Sequence, residues 1–323
     1  MEGSSLRKDA LSTAKHVSRC LQLSILLEVS AQKPGNVNRV ANFQNTRYEH
    51  FMASAVAVGP AFSQAALQGI RCKEKRIRPD QVNIGEIIKD AVLSINRWQH
   101  GGNTLLGTVI LLSPVAAAAG MALTEKREFP LSELRCYVEF VVEATTPTDA
   151  VAVYDAINLA NPNGLIDKAP SLDVNDPDSK RRIMKEDISL HDVFRISASY
   201  DSISREWVEN YPLTFDTGYP YFARQLEETG SLNTAIVHTF LRILSTTPDT
   251  LVARKAGLAK AREISEKARE VLSLGGLTTP TGRNAISSLD AKLRTQANKL
   301  NPGTTADIIT AVLAISILNG YRP

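Results

Sequence analysis

An all-α fold, a bundle of about ten to twelve helices, is what this sequence predicts, on three observations. The 18 Gly and 15 Pro are about a tenth of the 323 residues, below the usual share of about 12%, so long helices meet few interruptions. Aromatic residues are only 6%, while Ala, Leu and Ile, which suit helices, are abundant. Nowhere do apolar and polar residues alternate over a strand length with hairpin signals at the ends.

The elements follow from periodicity. Leu11, Ala14, Val17, Leu21, Ile25 and Val29 recur at steps of three and four, an apolar stripe on one helix face. Residues 32–45 break that pattern with Pro34, Gly35 and four asparagines. A helix restarts at Thr46, whose hydroxyl can cap it, and runs through Phe51, Ala55 and Val58. Further helices are expected over 83–99, 104–123, 131–144, 148–160, 187–209, 231–246, 249–273, 283–299 and 304–319. Residues 104–123 are uncharged throughout, long enough to cross a bilayer. Gly107, Ser113, Pro114, Gly120 and the alanines leave them only mildly apolar, and no basic cluster flanks them. They read as a helix enclosed by other helices, as does the C-terminal apolar run from 308. Gly275 and Gly276 end the 249–273 helix.

No internal repeat and no low-complexity linker divides the chain, so residues 1–323 are expected to form one domain. The most polar stretch, 161–187, reads as a surface loop or an insertion over a cleft. A net charge of +3 is too weak to point to nucleic acid. The three cysteines, Cys20, Cys72 and Cys136, are scattered and odd in number, so neither a disulfide framework nor a zinc site is implied. The mixed charge of the first 20 residues lacks the apolar stretch of a signal peptide, and a cytoplasmic location is expected. No HExxH or GxSxG is present.

Four loops carry more than connection. In 28–39, EVSAQKPGNVNR, a Pro-Gly turn brings Lys33, Gly35, Asn36, Asn38 and Arg39 together as donors, as an anion or sugar-phosphate site needs. In 100–107, HGGNTLLG, two glycines lead to Asn103 and Thr104, both good caps, and then to an apolar helix whose first N–H groups suit a phosphate. In 299–309, KLNPGTTADII, Thr304 or Thr305 can cap a helix, with Asp307 in its first turn satisfying backbone N–H groups. A carboxylate there can equally serve a magnesium–phosphate unit. In 246–255, TTPDTLVARK, Asp249 opens a helix with Arg254 and Lys255 one turn on, and Asp149 in TTPTDA takes a comparable capping position.

In that order and spacing, Glu28 with KPGNV and Arg39, GGNTLLG, PDTLVARKAG, and SLDAKLR followed by LNPGTTADI resemble the triphosphoribosyl-dephospho-coenzyme A synthase family over about 24–320. The resemblance implies an all-α transferase of cofactor biosynthesis. It would move the triphosphoribosyl part of ATP to a hydroxyl of dephospho-CoA, or of a related cofactor precursor, and release adenine. Two alternatives stand beside it: an ATP-dependent phosphoryl transferase, and an inactive nucleotide-binding protein of the same fold. Magnesium is the implied metal and small molecules the implied partners; homo-oligomerisation is compatible, whereas nucleic acid and membrane are not called for.

Carried over by position, the resemblance implicates Glu28, Lys33, Gly35, Asn36, Arg39, Asn103, Thr104, Gly107, Asp249, Arg254, Asn301, Gly303 and Asp307. It implies Asp249 and Asp307 on magnesium or the ribose and Glu28 as base. Asn36 and Asn103 would hold sugar hydroxyls or phosphate oxygens, and Lys33, Arg39 and Arg254 the triphosphate. Leu105 and Leu106 stand where the family usually has His-Lys, removing one cation and one titratable group. Arg47, Glu49 and His50 replace another acidic segment, NPGG has become NPGT, and the segment around His191 is altered.

Overall fold

The computed structural model describes residues 2–124, 129–161, 171–295 and 298–323. Its first half comprises α1 (Glu2–Ser30), α2 (Tyr48–Ala57), α3 (Gly59–Lys73), α4 (Ile84–Trp98), α5 (Leu106–Ala122), α6 (Leu131–Glu143) and α7 (Pro147–Ala160). The second half comprises α8 (Pro177–Lys185), α9 (Leu190–Ser197), α10 (Ser202–Val208), α11 (Tyr219–Thr229), α12 (Leu232–Thr246), α13 (Thr250–Ala256), α14 (Leu258–Ser273), α15 (Pro280–Leu293) and α16 (Gly303–Leu318). Among the described residues there is no strand, only one isolated bridge between Asn38 and Ala41. The fold is all-α, with more and shorter helices than the periodicity suggested.

The two apolar helices form the centre. Every residue of α5 from 108 to 122 is buried, and so is every residue of α16 from 308 to 318. α5 packs on α3, α6, α1, α4 and α16, and α16 also meets α1 and α12. A helix wrapped on all sides has no polar face to show, which accounts for its uniform composition. Among the described residues no helix is long and apolar enough to cross a membrane. α3 and α5 come very close: a Cβ on Gly69 or Gly120 would run into the other helix's backbone at Ala117 or Ala66.

Pro114 inside α5 has a structural use. It lacks the N–H that would bond the carbonyl of Ile110, and the buried Trp207 indole donates to that oxygen at 3.2 Å. The Tyr211 hydroxyl donates to the next carbonyl, Leu111, at 2.9 Å. These two bonds fasten the α10 region to the central helix.

The extra boundaries have local causes. The helix expected over 187–209 is two: Asp201 accepts from the N–H groups of Ile203 (2.8 Å) and Ser204 (3.1 Å) and starts α10 afresh. The 249–273 helix breaks at Gly257, whose φ of +88° only glycine adopts readily. α3 opens with Gly59 and Pro60, and α11 follows a π-helical turn at Leu213–Gly218. The buried Glu206 carboxylate shapes that turn by accepting from the backbone of Leu213 and Thr214. Burial lifts its pKa to about 7, against the pull of the Thr214 and Leu213 hydrogen bonds. The helix expected over 283–299 runs Pro280–Leu293, because Thr279 caps it through Gly282 N–H. Thr46 caps nothing; its hydroxyl donates to Gly101 O at 2.8 Å, and α2 begins at Tyr48. Asp149 is not the cap of α7, which is Thr146; it is the third helical residue, its carboxylate taking the Thr146 N–H in a capping box and the Gly85 N–H at 2.7 Å. Of the polar stretch 161–187, residues 162–170 lie outside the described residues, and α8 occupies half of the remainder.

Candidate active site

The four sequence loops meet around one cavity of about 1050 Å³. Glu28, Asn36, Asn103, Thr104, Gly107, Arg254, Asn301, Gly303 and Asp307 all line it. Lys33, Gly35, Arg39 and Asp249 do not appear on its wall. The cavity exceeds the ordinary ligand-pocket range of about 300–1,000 Å³, so it has room for a nucleoside triphosphate and part of a second substrate.

On its wall the starts of α5 and α16 lie side by side. The Thr108 hydroxyl donates to Asp307 Oδ1 at 2.5 Å. Gly107 is packed so closely that a Cβ there would stand 2.2 Å from Asp307 Oδ2. Sequence reasoning expected Asp307 to satisfy N–H groups of its own helix; instead its carboxylate reaches across to α5. Desolvation pushes its pKa to about 8, the negative charges of Glu28 and Asp249 add to the rise, and the Thr108 bond opposes it.

Glu28, in the last turn of α1, is 5% exposed. Its Oε1 lies 3.0 Å from Lys33 Nζ. The Lys33 ammonium also donates to the carbonyls of Glu28 and Ala31, so it closes the C-terminus of α1. Burial pushes the Glu28 carboxyl up and the Lys33 ammonium down, and each charge restrains the shift of the other. Lys33, with 0% of its surface exposed, is therefore placed as the partner of Glu28 and off the cavity wall where a triphosphate would have to meet it. Arg39 is exposed and away from the cavity. Gly35 anchors the loop: its N–H donates to Asp290 Oδ1 at 2.7 Å, and Arg294 ties the Asn36 carbonyl to the same carboxylate.

The glycine loop before α5 is held from both sides. Gln99 donates to Gly102 O at 2.8 Å, and the Thr104 hydroxyl bonds that of Ser54 at 2.8 Å. Asn103 Oδ1 accepts from Leu106 N–H at 3.1 Å. The residue in the cap position of α5 is Leu105, however, so neither Asn103 nor Thr104 takes the cap place that the sequence suggested. Leu105 and Leu106, in place of the family's His-Lys, line the cavity.

Asp249 is a structural hub. Oδ1 accepts from the N–H groups of Leu251 (2.9 Å) and Val252 (3.0 Å), and Oδ2 from the N–H (2.7 Å) and hydroxyl (2.8 Å) of Thr305. Four donors fill a carboxylate that is 2% exposed. Burial pushes its pKa up while these bonds hold it down. One side chain thus fixes the starts of both α13 and α16, which sets the positions of Arg254 and Asp307. Asp249→Ala strands two buried N–H donors, on Val252 and Thr305, and a half-buried one on Leu251, at about 1–3 kcal/mol for each buried group left unsatisfied. We expect a loss of about 2–4 kcal/mol in urea unfolding; an unchanged midpoint would return Asp249 to the list of ligands.

Two wall residues, Thr108 and Lys255, were not among the site residues that the sequence indicated, although Lys255 stands out beside Arg254. Thr108 was hidden because its partner lies 199 positions away. Lys255, whose Nζ donates to Asn301 Oδ1 at 3.1 Å, was overshadowed by Arg254. A readable signal existed: no acid stands three or four residues from Lys255 in either direction. Arg254 Nη1 pairs with Asp201 Oδ2 at 3.1 Å. The opposite wall is more apolar, with Val153, Tyr154, Leu172, Val193, Phe194 and Ile196.

Comparison with known proteins identifies the family of this chain. The 2-(5''-triphosphoribosyl)-3'-dephosphocoenzyme-A synthase of Klebsiella pneumoniae is 32% identical over 97 residues, which cover 30% of this chain and 32% of that protein. A candidate synthase of the same name from Pseudomonas savastanoi pv. phaseolicola is 30% identical over 115 residues, covering 36% and 38%. The chain thus spans about a third of the length of these curated relatives. A solved structure, a triphosphoribosyl-dephospho-CoA synthase candidate from Archaeoglobus fulgidus, shares the fold with a TM-score of 0.61. It is 24% identical, and the match covers 84% of this chain and 100% of that one. The family described as CitG, ATP:dephospho-CoA triphosphoribosyl transferase, matches residues 14–323, nearly the whole sequence, and the chain belongs to that family.

Proposed function

We propose that this protein moves the triphosphoribosyl group of ATP to a hydroxyl of dephospho-CoA or a related cofactor precursor, releasing adenine. The observation that supports it most is the meeting of two carboxylates, Glu28 and Asp307, with two cations, Arg254 and Lys255, on one cavity. In such a transfer the bond from ribose C1′ to the adenine nitrogen breaks, and its electron pair leaves with the base. The acceptor oxygen forms the new bond to C1′. The proton lost by the acceptor balances the one gained by adenine.

C1′ gains oxocarbenium character as the bond breaks, and a carboxylate in a desolvated site stabilises it. Asp307, held by Thr108 and by the close approach of Gly107, suits that task in its ionised form, whose share in the unliganded site grows as pH rises toward the pKa of about 8. Glu28, whose burial raises its basicity, suits removal of the acceptor proton, with Lys33 fixing its orientation. Asn36, Asn103 and Asn301 offer amides to sugar hydroxyls and phosphate oxygens.

Asp249 does not fit as a magnesium ligand, since all its hydrogen-bonding capacity is spent on Leu251, Val252 and Thr305. Asp307 and Glu28 do fit, as the one or two carboxylates that magnesium uses when phosphates and water supply its other ligands. When bound, the ion would neutralise phosphate charge and help to orient the triphosphate.

The test is chromatography of the purified protein with ATP, magnesium and dephospho-CoA. Free adenine together with a heavier acceptor product is the expected outcome. ADP or AMP instead would establish phosphoryl transfer, and ATP binding with no product would establish an inactive nucleotide-binding protein.

A further inference from the structure

Of the Lys and Arg side chains among the described residues, Arg254 and Lys255 line the cavity. Arg254 already has a carboxylate partner in Asp201, at 3.1 Å. Lys255 has none within ion-pair distance among the described residues; its ammonium donates to the neutral amide oxygen of Asn301 at 3.1 Å. A lysine normally either extends into water or meets an acid, since an unpaired ammonium in a half-enclosed site is costly. Burial pushes its pKa down, the Asp249 charge partly offsets that fall, and the Arg254 charge adds a smaller push downward.

The backbone fixes it in place. α13 is only seven residues long and ends at Gly257, so Lys255 lies in its last turn. Asn301 lies in the turn that leads into α16, two residues before Gly303, whose Cβ position is filled by Leu251 of α13. The ammonium is therefore held between two elements, both tied to Asp249 and both facing the cavity that contains Asp307.

We propose that Lys255, braced by Asn301 and flanked by Arg254, is a phosphate-chain contact: the cation that receives the polyphosphate of the donor. This rests on the reading of the cavity as a nucleoside triphosphate site. It also supplies the charge that Lys33 and Arg39, one buried against Glu28 and the other off the cavity, do not bring there. Lys255 and the phosphates would form charge-assisted hydrogen bonds, stronger than the one Asn301 offers.

Calorimetry with inorganic tripolyphosphate tests the contact without requiring turnover. The wild-type chain is expected to bind it, Lys255→Met to bind at least about tenfold more weakly, and Lys255→Arg to stay within about threefold of wild type. Lys267→Met, which alters an exposed pair with Glu270, should change nothing. Lys255→Gln, which keeps a donor for Asn301, serves if the methionine variant does not fold. In steady-state adenine release the lysine variants should raise the KM for ATP more than they lower kcat. Wild-type binding that Lys255→Met and Lys255→Gln leave intact would overturn the proposal, as would no tripolyphosphate binding at all. Lysine-dependent binding in a protein that releases no adenine would keep the phosphate contact and discard the glycosyl-transfer reading.

Discussion

Asp307→Asn is expected to lower adenine release by about 10²–10³-fold, the usual loss when one charge-stabilising group is removed, and to make the unliganded protein more stable. The two effects have one origin. Asparagine has the same shape and can still accept from Thr108, so packing between α5 and α16 survives. What disappears is a carboxylate enclosed beside Glu28 and Asp249, whose pKa is pushed to about 8. In the unfolded chain that carboxyl would lose its proton near pH 4. Between about pH 4 and 8 the native state therefore binds more protons than the unfolded state, and wild-type stability falls as pH rises across that window. Below it both side chains are neutral and the two proteins should unfold alike. The variant's advantage should then grow by about 1 kcal/mol per pH unit, somewhat under the ~1.4 of full linkage because the cavity face admits water. Above about pH 8 it should level off. Urea unfolding at pH 5, 7 and 9, paired with the adenine assay, reads both effects. Full turnover together with parallel pH curves would take Asp307 out of the reaction. A gain in stability bought with activity is what a site shaped for chemistry gives when its charge is removed.

Legibility in the sequence varied with how local the cause was. α1, α4 and α12 were readable because an apolar stripe at helical spacing needs no knowledge of its partner. α5 and α16 were readable as enclosed helices for the opposite reason: no polar face is present to meet water. What periodicity could not show is where a continuous pattern stops. The break at Gly257 rests on a single positive φ, and the break before α10 on the Asp201 side chain taking two N–H groups. The turn before α11 depends on Glu206, buried seven residues upstream. Each is a local hydrogen-bond or backbone event inside a sequence that still scores as helix.

For the site, the motifs located the right turns but not the direction of their side chains. Lys33 follows a helix end and precedes Pro-Gly, which reads as an exposed polar loop. Its ammonium instead folds back over the carbonyls closing α1 and meets Glu28. Asp249 and Asp307 both stand at the mouth of a helix and look equivalent. Only the fold separates them, since Thr305 fills one with hydrogen bonds while Thr108 leaves the other open to the cavity. A carboxylate with four donors is structural; one held by Thr108 alone, beside another acid, is available for a substrate or an ion.

The close approach of Gly107 to Asp307 allows a sharper test than deletion of the carboxylate. By helix propensity Gly107→Ala should favour α5 by about 1 kcal/mol. A Cβ there would nevertheless stand 2.2 Å from Asp307 Oδ2 and 2.7 Å from Cγ, closer than real contacts allow. The nearest atoms belong to a short side chain with room toward the cavity, so the carboxylate gives way while the backbone stays. We expect unfolding within about 1 kcal/mol of wild type and adenine release reduced about 10²-fold, because a shift near 1 Å at a reacting group is enough for that. The loss should then depend on Asp307 itself. In Asp307→Asn the misplaced group no longer carries charge, so adding Gly107→Ala should cost little more activity, and the double-mutant cycle should show strong coupling. Fully additive losses would mean that Gly107 acts elsewhere, through the loop that precedes α5, and that the position of the Asp307 carboxylate is not what the reaction requires.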